Sequence, residues 1–154
     1  MALAPIPEGT RGPEPRHPGR FARGAADWMV RRLAAADGRA MLTKAIVVVT
    51  IGRKTGEERR TPVGWFPADG GWIVLASASG SRRHPQWYRN IAANPGRVAV
   101  ETNGEHVPVD VEQLAGAERD AEWARIVEAL PAFARTARKT DREFPILRLT
   151  RRAG

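Results

Sequence analysis

Cysteine is absent from the 154-residue chain, which excludes disulfides, thiolate metal sites and a cysteine nucleophile and suits a reducing cytosol. Lysine is nearly absent too: Lys44, Lys54 and Lys139 are the only three, so the formal charge of +8 comes almost wholly from arginine. His17, His84 and His106 are scattered without ligand spacing, and no bound metal is expected. No apolar run approaches the about 20 residues that cross a bilayer. Pro5, Pro7, Glu8, Pro13, Glu14 and Pro15 interrupt any apolar leader, so neither a membrane span nor a signal peptide is expected.

A surplus of arginine suits nucleic acid, an acidic membrane or an anionic small molecule. A chain rich in Ala, Arg, Gly and Pro also accumulates arginine for codon reasons, so charge alone identifies no partner. With 42% hydrophobic residues the length fits one domain with a real core. Residues 1–20, rich in Pro, Gly and Arg, read as a flexible arm that buries little, and residues 21–152 as a single domain.

The most informative stretch is Ala45 to Trp65. Ala-Ile-Val-Val-Val-Thr-Ile is a β-branched run with one polar member, Thr50, and reads as a buried strand. Gly52 and Gly56 then bracket a turn carrying Arg53, Lys54 and Thr55, and a second strand leaves from Arg59. Two cations, a hydroxyl and glycine-flanked amides at a hairpin mouth form a receptor for phosphate or carboxylate, although a solvated basic tip has the same composition. The spacing is not that of a Walker loop.

Phe21 to Ala36 carries apolar residues at helical spacing, stopped by Gly38, and packs against the core or a second subunit of a homodimer more readily than against lipid. Strand Trp72–Ser77 follows a glycine turn at Ala68–Gly71, and Asn103-Gly104 predicts a type I′ hairpin between Val98–Val100 and Val107–Val111. Pro108 predicts that this last strand lies near a sheet edge. Helices are predicted from Pro85, at the first helical position, to Ala93, and from Ala115 to Leu130 with Trp123, Ile126, Val127 and Leu130 as its apolar stripe. A closing strand ends near Thr150. Six strands and three or four helices in this order predict a mainly β fold, an antiparallel barrel with helical insertions.

Thr-x-Gly-Arg-Lys-Thr-Gly with Arg59 and Pro62, then Ala76-Ser77, His84-Pro85-x-Trp87-Tyr88-x-Asn90 and Ala93-Asn94-Pro95, in this order, resemble the deazaflavin-dependent nitroreductase family between about Ala45 and Val100. The resemblance implies a split β-barrel that binds coenzyme F420 and uses its reduced form as hydride donor. It assigns Arg53, Lys54, Thr55, Arg59 and Arg60 to the anionic side of the coenzyme. Thr61, Pro62, Val63, Ser77, Ala78, Gln86, Trp87, Tyr88 and Asn90 take its remaining contacts, and Phe133 the acceptor. Read without the resemblance, Trp87 and Tyr88 are plain core residues.

Two departures stand out. Nitroreductase members place a lysine after the serine, where this chain has Ala78, which shifts a phosphate contact elsewhere, to Arg82 or Arg83. Their substrate-lining tyrosines correspond here to Leu130, Phe133 and Thr136, and Tyr88 is the sole tyrosine of the chain.

The function this implies is an oxidoreductase reducing a small apolar quinone, enone or nitroaromatic. No catalytic acid–base residue is needed, because the coenzyme supplies the hydride. The alternatives are a split barrel holding FMN, and a basic module for nucleic acid, which lacks any stacking-platform motif and is not expected. The expected location is the cytoplasm, with a weak peripheral contact at the inner face of the membrane if the acceptor is a lipid quinone.

Overall fold

The computed structural model describes residues 3–14 and 45–153. The chain forms β1 (Ala45–Ile51), β2 (Glu58–Ala68), β3 (Gly71–Leu75), a 3₁₀ turn (Ala78–Gly80), α1 (Gln86–Ala93), β4 (Val98–Thr102), β5 (Glu105–Gln113), α2 (Gly116–Ala129), α3 (Ala132–Ala137) and β6 (Ile146–Arg151). All strand pairs are antiparallel, and the sheet closes as β1-β2-β3-β6-β5-β4. The predicted helix Phe21–Ala36 lies outside the described residues.

Alternation drives closure. Ile46 and Val48, Trp72 and Val74, Val98 and Val100, Val107 to Val111 in steps of two, and Leu147 and Leu149 point inward to one core. The opposite face of β3 and β6 contributes Ile73, Leu75 and Ile146, which pack with Leu114, Ile126 and Phe144. Of the stripe predicted for α2, Ile126 is buried, whereas Leu130, just past the helix end, is 47% exposed. Strand β1 is buried along Ile46–Ile51, Thr50 included, which explains why its sequence is apolar at all its other positions.

The Asn103-Gly104 hairpin forms as the sequence predicts, with φ of 52° and 75°. Gly71 answers a different need: a Cβ there would lie 1.8 Å from the Leu149 carbonyl oxygen, so only glycine lets β3 approach β6.

Three expectations are corrected. Strand β5 is no edge, because it pairs with both β4 and β6. Pro108 is tolerated since its carbonyl accepts from the Arg152 N–H at 3.0 Å, so its nitrogen faces the same side, beyond the last β5–β6 pair, Val109 with Arg151. Pro85 sits just outside α1, with φ −62° and ψ 151°, rather than at the first helical position. Over residues 3–14 the amino-terminal segment is not a loose arm: Leu3 joins the barrel core and Gly9 N–H donates to the Arg82 carbonyl at 2.8 Å. Asp141 accepts from Thr10 and Arg11 N–H at 2.9 and 2.8 Å.

Candidate coenzyme and acceptor site

The turn between β1 and β2 closes on itself through Gly52 N–H to the Glu57 carbonyl at 2.7 Å and Gly56 N–H to the Gly52 carbonyl at 2.8 Å. Gly56 has φ 74°, which glycine adopts without steric cost. Helix α1, packed on β1, brings Asn90 to this turn. Its buried carboxamide oxygen accepts from Arg53 N–H at 3.2 Å and from Arg53 Nη1 at 2.9 Å.

A cavity of about 310 Å³ opens between turn and helix. Arg53, Lys54 and Thr55 come from the turn, Arg59, Arg60 and Thr61 from β2, and Gln86, Trp87 and Asn90 from α1. Burial, and then the neighbouring Arg89 charge, lower the Arg53 pKa, so an anion here would relieve an unfavourable field. Arg53 and Lys54 form no ion pair among the described residues. Arg59 reaches Thr55 Oγ1 at 3.2 Å and Glu57 at 3.3 Å. Arg60 is more strongly committed: it pairs with Glu101 at 2.8 Å and Glu58 at 3.0 Å, and its pKa is raised, chiefly by the Glu101 hydrogen bond.

A second cavity, about 280 Å³, continues along β2. Pro62, Val63, Phe66 and Leu75 form its apolar side, Ser77 and Ala78 one wall, and Leu130 and Phe133 the other. Trp87 lines both cavities, so the cationic and apolar hollows meet across one indole. The Phe133 ring stands edge-on to Phe66 with centroids 6.4 Å apart.

Tyr88 goes elsewhere, one position round the helix from Trp87. It is fully buried and lines neither cavity; its hydroxyl accepts from Ile6 N–H at 3.0 Å and donates to Gln113 Oε1 at 2.5 Å. Tyr88 thus stands away from the hollows in which the resemblance would place the coenzyme. Among the described residues Arg82 pairs with Glu14, and neither Arg82 nor Arg83 lines either hollow, so neither stands where the missing lysine was expected to be replaced.

Sequence reasoning missed Arg142. It lies in the segment Thr140–Thr150, which reads in sequence as a turn feeding the closing strand, and it is 4% exposed. Its guanidinium donates to three carbonyls: Ala76 at 2.9 Å, Ser77 at 2.6 Å and Ser81 at 2.8 Å. Nη1 also donates to His84 Nδ1 at 2.9 Å, while His84 Nε2 bonds the Ile6 carbonyl at 2.6 Å. A carbonyl only accepts and a guanidinium only donates, so His84 is the neutral Nε2–H tautomer. Burial is the foremost cause of its lowered pKa, and burial lowers that of Arg142 to about 10, where it stays protonated at neutral pH. No local pattern marked this residue.

A closed antiparallel barrel whose rim carries a cationic hollow beside an apolar one is what the resemblance to the split-barrel flavin and deazaflavin oxidoreductases implies. The donor set fits a group of that kind, with cations for an anionic tail at one end and an aromatic, proline-lined wall for a flat ring at the other.

Comparison with known proteins narrows the class. Residues 23–151 match the family model described as F420H(2)-dependent quinone reductase. A Mycobacterium tuberculosis protein provisionally named an F420H(2)-dependent quinone reductase is 32% identical over 95 residues, which cover 62% of this chain and 79% of that one. The solved structure of an F420-H2 dependent reductase superposes with a TM-score of 0.60 at 34% identity, covering 69% of this chain and 93% of its own. A structure described as a domain-swapped dimer gives 0.63 at 28% identity, over 86% and 99% of the two chains. The chain belongs to the F420H(2)-dependent quinone reductase family. It is an oxidoreductase of the split-barrel fold whose cofactor is coenzyme F420.

Proposed function

We propose that the two hollows are one site, with the coenzyme tail in the cationic cavity, its ring crossing Trp87, and a quinone-type acceptor entering the apolar cavity beside Phe133. The observation that carries this reading is the single indole shared by both cavities. The reduced coenzyme supplies the hydride. Arg53 and Lys54 would hold the anionic end by charge-assisted bonds, each worth about 1.5 to 3 kcal/mol. Asn90 keeps Arg53 aimed, and Thr55 does the same for Arg59. Trp87, Pro62 and Val63 present the flat apolar surface on which a ring is oriented and from which water is excluded.

Phe133 and Leu130 offer no hydroxyl to an acceptor oxygen, so selection on that side rests on apolar fit and favours a hydrophobic quinone over a nitroaromatic that needs a tyrosine donor. The test is an acceptor screen that follows loss of the reduced coenzyme, beside a fluorescence titration of the coenzyme. Binding with rapid oxidation by quinones is expected; no binding at high concentration would sink the reading.

A homodimer is part of the proposal, supported by the likeness to a domain-swapped dimer. Sedimentation at micromolar concentration tests it. So is a cytoplasmic enzyme meeting lipid quinone at the membrane surface, a reading supported by the quinone in the family's description. Co-sedimentation with anionic vesicles checks that contact, and a protein recovered entirely in the supernatant would remove it.

A further inference from the structure

The loop that walls the apolar cavity has an unusual backbone. Ala78, Ser79 and Gly80 have φ of 45°, 54° and 82°, three consecutive residues in the left-handed region, two of them carrying a Cβ. Such residues persist only where the surroundings over-determine them, because the left-handed conformation crowds Cβ against the carbonyl. Local bonds close the turn, from Gly80 N–H to the Ser77 carbonyl at 2.9 Å and from Ser81 N–H to the Ala78 carbonyl at 3.0 Å. They do not orient it. On one side the loop presses on α3, where a Cβ on Gly80 would lie 2.8 Å from the Thr136 carbonyl oxygen. On the other stands Arg142.

The Arg142 fork grips the loop at both ends. Its Nη2 donates to the Ser77 carbonyl at 2.6 Å and its Nε to the Ser81 carbonyl at 2.8 Å, with Nη1 on the Ala76 carbonyl, at the end of β3, at 2.9 Å. The loop's left-handed residues are thus spanned by one planar, rigid group. A lysine in its place has no such fork. The plane is itself fixed, by His84 Nδ1 at 2.9 Å and by the Phe144 ring 4.8 Å from the guanidinium carbon. All of its hydrogen-bond partners among the described residues are neutral. What this buried cation does is hold carbonyls: that of Ser77 belongs to a residue of the cavity wall, and those of Ala76 and Ser81 flank the stretch Ser77–Ser79 that lines it.

We propose that Arg142 is a positioning residue for hydride transfer, which holds the Ala78–Gly80 loop in the one shape that brings Ser77 and Ala78 to the apolar cavity. This rests on the reading of that cavity as the place where ring and acceptor meet. Arg142 touches neither; it acts through the loop. Releasing the grip lets the strained turn relax, and the wall moves while the cationic cavity on the far side of Trp87 keeps its shape.

The experiment compares the parent protein with Arg142→Lys and Arg142→Met. Hydrogen exchange comes first. In the parent, the Gly80 and Ser81 amides are expected to exchange as slowly as the barrel amides of Ile46–Val49, although they lie in a loop. In the variants they are expected to exchange at least about tenfold faster, with the barrel amides unchanged. Titration with coenzyme should then give about one site per chain and a Kd within about threefold of the parent, while kcat falls at least about tenfold, because a misplacement near 1 Å costs that much or more. Arg142→Lys should resemble Arg142→Met, since geometry and not charge is lost.

Parent-like exchange and kcat in Arg142→Lys would overturn the proposal. So would a uniform rise in exchange with kcat and site number falling in parallel, which is the mark of a merely structural residue. If neither variant folds, fast exchange of Gly80 and Ser81 in the parent is enough to overturn it. Failure of the parent to bind coenzyme would instead strike the functional reading and leave the exchange result standing.

Discussion

The carboxamide oxygen of Asn90 accepts two hydrogen bonds from Arg53, from the backbone N–H at 3.2 Å and from Nη1 at 2.9 Å. This ties the turn after β1 to helix α1 across 37 residues and makes one receptor of two segments. Neither bond survives truncation. Asn90→Ala is expected to weaken coenzyme binding about tenfold and to cost about 1 to 3 kcal/mol of stability, since a charged donor is left without its buried acceptor. A fluorescence titration with a denaturation curve measures both, and an unchanged Kd would show that Arg53 needs no support.

The arginines and lysine of the cationic cavity are not equivalent. Arg53→Ala with Lys54→Ala should raise the coenzyme Kd by more than about tenfold and flatten its dependence on salt. Arg60→Ala should have a smaller effect, because that guanidinium is already shared between Glu101 and Glu58. Titrations at several salt concentrations rank the Arg53–Lys54 pair against Arg60. Equal losses would mean that Arg60 leaves its carboxylates when the coenzyme arrives.

Tyr88→Phe is expected to spare the coenzyme Kd and to loosen residues 3–14. Burial raises the Tyr88 pKa, so the hydroxyl stays protonated and donates to Gln113 while it holds Ile6. Loss of both bonds should cost about 1 to 3 kcal/mol. Faster proteolysis within residues 3–14, with binding intact, is the readout; a large rise in Kd would return Tyr88 to the coenzyme.

Stability should fall in two stages on acidification. His84 is buried neutral with a pKa below its ordinary 6.5, so the unfolded chain binds its proton first and stability declines as pH drops below about 6.5. Asp141 is held at about 2, foremost by the Thr10 hydroxyl and then by backbone N–H groups, against 3.8 ordinarily. Its contribution is complete above pH 3.8 and is lost as pH falls toward 2. Melting temperature against pH, compared with His84→Gln and Asp141→Asn, separates the stages; a His84→Gln curve with the same decline near pH 6 would remove His84 as its source.

Phe133→Ala should raise KM for an apolar acceptor severalfold without changing the coenzyme Kd, since Phe133 lines only the apolar hollow. Phe133 packs against Phe66 at 6.4 Å, so part of any loss is packing, and a Phe133→Leu variant should recover much of it. A Kd that rises in step with KM would place the ring, and not the acceptor, against Phe133.

Local chemistry determined a good deal of this protein in one dimension. The β-branched run at Ile46–Val49, the positive-φ pair Asn103-Gly104 and the glycine-bounded turn at Arg53 and Lys54 each declare their conformation within a few residues, because strand period and left-handed backbone are properties of neighbours. The closed barrel was legible from such pieces in order. What only the tertiary structure decided is which way the ambiguous side chains went. Trp87 and Tyr88 are adjacent in sequence and both join the barrel core, but helix rotation lets only Trp87 also line the two cavities. Arg142 and Arg60 look alike in sequence, yet one is buried on carbonyls 61 to 66 residues away and the other is paired on the surface. Burial and partnership across such distances depend on closing the barrel, so no window of neighbouring residues carries them.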